Sequence, residues 1–188
     1  MEGTNKVHYD LVDVHVAPLT ISAGVATFGS PKALEGSISL DLSAQGKHNK
    51  LRADGMVYWQ GHGNDGYDGN LNLALVPDWF RKEYLGEILD EDAKVQVENA
   101  EAQHKPFALI YGFKGDVKRR RHVLYNCMAG RVDIKGENKD SEKDPDTETL
   151  PITAIPLPNG DVKASTTDDT TKAVYDGWLT AVWQRAEA

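Results

Sequence analysis

The side chains best suited to hold a metal are six histidines and a single cysteine, and their spacing argues against it. His8, His15, His48, His62, His104 and His122 fall at no recognised ligand spacing, and Cys127 is the one thiol that could join them. They read as exposed or hydrogen-bonded histidines. The acidic strings 65–68 and 144–148 look like calcium loops only loosely, because neither alternates oxygen ligands around a turn glycine and closes on a glutamate. No G-x-S-x-G elbow and no phosphate-cradling glycine loop occurs, so hydrolase and nucleotide chemistry lack an anchor. Cys127, between Asn126 and Met128 in an apolar run, reads as a small buried hydrophobe rather than a nucleophile. The expectation is no catalytic residue, no cofactor and no metal, hence not an enzyme.

Two polar features remain. The stretch Lys114 to His122 holds five basic residues and one acid, with Lys118, Arg119, Arg120 and Arg121 consecutive. Such a run suits a solvated turn, a contact with DNA, or pairing with acidic tracts of an adjacent subunit. Tyr58 and Trp59 lie in a polar segment, where aromatics either anchor protein interfaces, form sugar-binding faces, or fold back on their own sheet. Tyr58, Trp59, Arg119, Arg120 and Arg121 are therefore the candidate subunit-interface residues.

The elements that must position these residues are mostly strands. Tyr67, Leu71, Leu73 and Leu75 share one parity and Asp68, Asn70 and Asn72 the other, with Gly69 a gap in the apolar face. Pro77 ends that strand, Asp78 is placed to cap a short helix over 78–85, and Gly86 suits its left-handed end. The helix must dock on the sheet through Trp79, Phe80, Tyr84 and Leu85, being too short to stand alone. Residues 5–16 read as an N-terminal arm and strand whose apolar phase flips after Leu11, as at a bulge. Ile38, Leu40 and Leu42 alternate, and residues 43–64 read as a long projecting loop or hairpin. Phe107, Leu109, Tyr111 and Phe113 alternate, Arg121 to Met128 returns with apolar residues on both faces, and the two read as a hairpin near the core centre, with Val132 and Ile134 in a further strand.

Two acidic segments separate these pieces. Residues 87–101, with six acids against Lys94, read as a solvated connection, and 136–148 as a mobile acidic loop. Leu150, Ile152 and Ala154 lead to Asn159-Gly160, a pair suited to a tight hairpin turn from which Asp161 to Ala164 returns. Val174, Trp178 and Val182 recur at four-residue steps, predicting a C-terminal helix over 170–185 with Asp168 or Asp169 as cap and Gly177 as its weak point. The fold class expected is mainly β, a two-sheet β-sandwich or partly closed barrel, with one short helix after the central strand and one at the C-terminus.

With 188 residues, 40% of them hydrophobic, the chain has material for one core and reads as a single domain, 1–188. One cysteine allows no intramolecular disulfide and fits a reducing cytoplasm. The N-terminus lacks the basic lead and apolar run of a signal peptide, and no stretch approaches the about twenty apolar residues that span a bilayer, so no membrane association is expected. A net charge of -8 opposes broad binding to phosphate backbones.

Five segments, in order and spacing, carry a resemblance to a known family: NDGYDGNLNLALVPDWFRKEYLG (64–86), KPFALIYGF (105–113), RHVLYNCMAGRVDIKGENKD (121–140), TETLPITAIPLPNGDVKA (147–164) and YDGWLTAVW (175–183). The chain resembles the major tail proteins, or tail tube proteins, of long-tailed bacteriophages of the siphophage type. The match is a long colinear pattern with no invariant ligand in it. The resemblance implies a fold of the phage tail-tube type and a structural virion protein in the tail, assembled in the bacterial host cytoplasm. It further implies self-assembly into hexameric rings stacked into a tube that conducts DNA during ejection without binding it sequence-specifically. Tape-measure and tail-terminator proteins are the other implied partners. A ring of acidic subunits would repel passing DNA. From another class, the alternative is a carbohydrate-binding β-sandwich module, suggested by four tryptophans and seven tyrosines on a strand-rich acidic chain.

Overall fold

The computed structural model describes residues 7–115, 118–136 and 145–186. Its strands are β1 Leu11–Ser22, β2 Val25–Phe28, β3 Lys32–Ala33, β4 Ser37–Gln45, β5 His48–Ala53, β6 Met56–His62, β7 Gly66–Leu73, β8 Ile88–Asp90, β9 Val95–Val97, β10 Phe107–Phe113, β11 Arg121–Ala129, β12 Glu148–Ile155 and β13 Lys163–Ser165. Helix α1 spans Asp78–Tyr84 and α2 spans Lys172–Gly177. The class is mainly β, as expected. Among the described residues, nine strands form one antiparallel sheet in the order β2-β1-β10-β11-β12-β7-β4, with β3 added to β1 and β13 to β11. β5–β6 and β8–β9 are separate two-stranded ribbons.

The sheet curls without closing into a barrel. Leu40 and Leu42 on β4 pack on the same core as Val14 and Val16 on β1, although no ladder joins these strands. The short β3 segment stands between them: Ala33 pairs with His15, Leu34 N–H donates to the Val14 carbonyl at 2.8 Å, and Ala74 N–H donates to Gly36.

Period-two alternation sends β10 to two cores. Phe107 and Leu109 join a cluster with Leu71, Leu73, Leu124, Leu150 and Ile152, while Ala108 and Ile110 face a second cluster with Ala17, Leu19, Val123 and Tyr125. β11 changes phase midway, because Phe107 pairs with Cys127 but Leu109 with Leu124, one residue more on β11 than on β10. Cys127 therefore reaches the first cluster although Tyr125 faces the second. The bulge expected early in the chain lies at Asp13, where Val12 pairs with Gly112 and His15 with Ile110, and Asp13 adopts φ 55°.

Helix α1 covers the first cluster. Its Phe80 and Tyr84 are buried, with ring centroids 5.6 and 5.1 Å from Phe107. Asp78 does not cap it. Pro77 is the N-cap residue with no side-chain bond, and its carbonyl accepts from Phe80 and Arg81. Glu148 at the start of β12 instead ties the helix down, accepting from Val76 N–H at 2.5 Å and from Arg81 at 2.8 Å. Gly86, at φ 74°, ends the helix turn in the left-handed region.

Gly69 is required by close approach. It lies between Leu42 on β4 and Ile152 on β12, and a Cβ there would run into the Asp41 carbonyl. Gly69→Ala is expected to cost about 1–3 kcal/mol through overpacking, seen as a lower urea midpoint at unchanged slope.

Several expectations are corrected. The first strand begins at Leu11 and continues to Ser22, beyond the expected 5–16, and residues 5 and 6 of that expected arm lie outside the described residues. Val132 and Ile134 are in no strand. The β11 ladder ends after Ala129–Ile152, because the next partner, Pro151, accepts from Gly130 N–H but has none of its own to return. Of the acidic loop 136–148, residues 137–144 lie outside the described residues, and Glu148 already belongs to β12. Residues 87–101 contain the β8–β9 ribbon rather than a plain connection.

The turn at Asn159-Gly160 forms, with Gly160 at φ 84°, yet it closes no hairpin. Leu157 N–H donates to the Asp161 carbonyl, closing a small excursion. The chain then resumes in its previous direction, so that β12 and β13 pair end to end along the same edge of β11. The C-terminal helix is shorter than 170–185. Thr171 is its N-cap residue without a side-chain bond, and the chain leaves the α-helix after Gly177 through turns that still bury Trp178 and pack Leu179 and Val182 on the second cluster.

Candidate assembly surfaces

The segment 43–64 resolves into the continuation of β4 and the ribbon β5–β6. Asp54 and Gly55, at φ 51° and 76°, make the tight turn at its tip. That Asp-Gly pair was the available sequence signal for a hairpin, hidden by the polar residues around it. Register sorts the ribbon into two faces. Leu51 pairs with Trp59 and Ala53 with Met56, giving an apolar face. His48 pairs with His62 and Lys50 with Gln60, giving, together with Arg52, a basic one. The His48 and His62 rings stack at 4.1 Å.

Tyr58 is the extra residue where Leu51–Trp59 gives way to Arg52–Val57, so a bulge pushes it outward and leaves it 74% exposed. Trp59 is 54% exposed, and the benzo end of its indole occupies the space a Cβ on Gly61 would need. Leu51, Met56 and Val57 are also exposed. A two-stranded ribbon alone in water is marginal, and this one meets water with its apolar face bare.

β8–β9 repeats the theme with opposite charge. Ile88 pairs with Val97, Asp90 with Val95, and all three aliphatics are exposed on one face. Gln96 on the other face donates to the Asp78 carbonyl and to Glu87, which seats the ribbon beside α1. Asp90 accepts from Asp92 N–H and Ala93 N–H and sets the turn. Sequence inspection missed this ribbon because three-residue strands among acids carry almost no periodic signal.

The arginine run is placed differently. Arg120 pairs with Asp168 at 3.0 Å. Arg121 donates to the Tyr175 carbonyl at 2.6 Å, its guanidinium lies 4.2 Å from the Tyr175 ring centre, and its backbone N–H donates to Thr166. The Tyr175 hydroxyl in turn donates to the Arg119 carbonyl. Arg120 and Arg121 thus fasten α2 and the chain before it to the start of β11, and Arg119 keeps an exposed side chain. Asp168, expected as a helix cap, serves Arg120 instead. Among the described residues the arginines stand at the start of β11 in the large sheet, whereas Tyr58 and Trp59 lie on the separate β5–β6 ribbon.

Cys127 is fully buried, and burial pushes its thiol up to about 12. Its Sγ donates to the Leu124 carbonyl. A thiol so held is neutral at physiological pH and packs as an apolar group.

No family model matches the chain, and no curated protein matches it. Among solved structures, the chain is similar to the tube-terminating cap of the anti-feeding prophage, at 9% identity and a TM-score of 0.45 over 86% of this chain and 94% of that one. It is also similar to the sheath/tube terminator of the extracellular contractile injection system PVC in its extended state, at 11% identity and a TM-score of 0.41 over 82% of this chain and 93% of that one.

Proposed function

We propose that this chain is a structural subunit of a phage-type tail tube that works by assembling with copies of itself into stacked rings. The supporting observation is the β5–β6 ribbon, which among the described residues joins no other strand and exposes Leu51, Met56, Tyr58 and Trp59. An apolar face of this kind is hydrated at a cost in the monomer and becomes favourable area once a neighbour covers it. The colinear resemblance of five segments to tail tube proteins supplies the form of the assembly: six subunits per ring, rings stacked into a hollow tube, DNA passing through during ejection. Tape-measure and tail-terminator proteins are then the heterologous partners, and the virion tail the location. Tyr58 and Trp59 belong to the subunit contact, and Arg119, at the exposed end of the basic run, offers a cation to a neighbour's acidic surface.

The chemistry around Trp59 favours a protein partner over a sugar. Leu51, Ala53 and Met56 share its face, whereas a glycan subsite sets hydrogen-bonding groups beside the stacking ring.

The experiment is negative-stain microscopy and sedimentation of the purified protein over a concentration series. Tubes or stacked rings are expected. Discrete rings that never stack would restrict the reading to a tube-end component, and a monomer at every concentration would overturn it.

A further inference from the structure

We propose that His48 and His62 form a two-imidazole site for a divalent transition metal ion of the zinc class, which clips together the two strands of the β5–β6 ribbon. The pair lies at the foot of the ribbon, and one rung nearer the sheet Gly63 N–H donates to the Lys47 carbonyl. Because that bond joins Lys47 to Gly63, the next pair, His48–His62, falls in the non-hydrogen-bonded position, where facing Cα atoms are only about 4.5 Å apart and side chains come closest. The two rings are 4.1 Å apart and 12° from parallel. Zinc–imidazole bonds are about 2.0–2.1 Å long, so one ion spans two nitrogens up to about 4 Å apart, and the broad χ2 of histidine lets both rings turn onto it.

Hydrogen bonding sets this pair apart from two of the other histidines. Nδ1 of His15 is engaged with the Asp13 carbonyl and Nδ1 of His104 with the Ala129 carbonyl, whereas among the described residues the ring nitrogens of His48 and His62 make no hydrogen bond. Imidazole suits zinc, nickel and copper, while magnesium and calcium take oxygen ligands. Among the described residues no third histidine, cysteine or carboxylate gathers there, so water completes the shell. Lys50 and Arg52, farther along the same face, repel a cation and hold the affinity below that of an isolated pair. The ion binds the formed ribbon and so stabilises an element that is marginal by itself. This site does not depend on the assembly reading.

Zinc chloride titrated calorimetrically into the full chain, free of any polyhistidine tag, tests the site. Binding of a single ion per chain is expected. His48→Asn and His62→Asn, both exposed substitutions, should each weaken it by about tenfold or more while the circular dichroism stays unchanged. Protons compete for the same nitrogens, so binding at about pH 5.5 should be weaker than at about pH 7.5 by a similar factor. Zinc should also slow amide exchange within the ribbon of wild type, and magnesium should not. No binding at millimolar zinc, equal affinity in the His48→Asn/His62→Asn double variant, or ribbon amides indifferent to zinc would each overturn the proposal.

Discussion

Trp59→Ala is expected to leave a folded monomer that no longer forms rings or tubes. Within the chain the indole lies along its own ribbon over Gly61 and opposite Leu51, outside both buried clusters, so its removal takes little from the fold. Between copies the same side chain is a large, rigid apolar anchor, of the type whose truncation costs about 2 kcal/mol or more at an interface centre. That is a factor of roughly thirty per contact, and a ring repeats the loss at every junction. Far-ultraviolet circular dichroism and the melting temperature should match wild type while sedimentation shows only monomer. Normal tubes from this variant would remove the ribbon from the contact.

Phe80→Ala has the opposite signature. Phe80 is fully buried, at ring distances of 4.9 Å from Tyr84, 5.6 Å from Phe107 and 5.9 Å from Trp79. Truncation removes the centre of this aromatic group and leaves a cavity under a helix held on the sheet mainly by these rings. The expected loss is about 3–5 kcal/mol, a large part of the 5–15 kcal/mol that typically holds a domain together. For a chain of this length the melting temperature should fall by roughly 6–20 °C. A drop below about 3 °C would mean that α1 is not seated as described. Any loss of assembly should track the unfolded fraction, unlike that of Trp59→Ala.

What could be read ahead of the structure followed from local rules. The alternation from Tyr67 to Leu73, the helix that follows Pro77 and its end at Gly86 each rest on a few adjacent residues, although the strand stops at Leu73 and not at Pro77, leaving Leu75 outside it and exposed. The bulge near Val12 was visible for the same reason, because an inserted residue shifts the apolar phase in plain sight. The arginine run was legible as a charged turn, but its engagement by Asp168 and Tyr175 joins residues about fifty positions apart, which no spacing rule reports.

Local sequence sufficed for the mainly β class, the apolar residues on both faces of β11, the position of α1 and the inert character of Cys127, since periodicity, proline and glycine act within a few residues. Tertiary structure alone decided that β13 continues along β11 beside β12, that β11 stops where Pro151 has no amide to give, and that two ribbons of opposite charge stand apart from the sheet. Strand partners are chosen by long-range packing and by which edges remain open, and neither is written in any local stretch of chain.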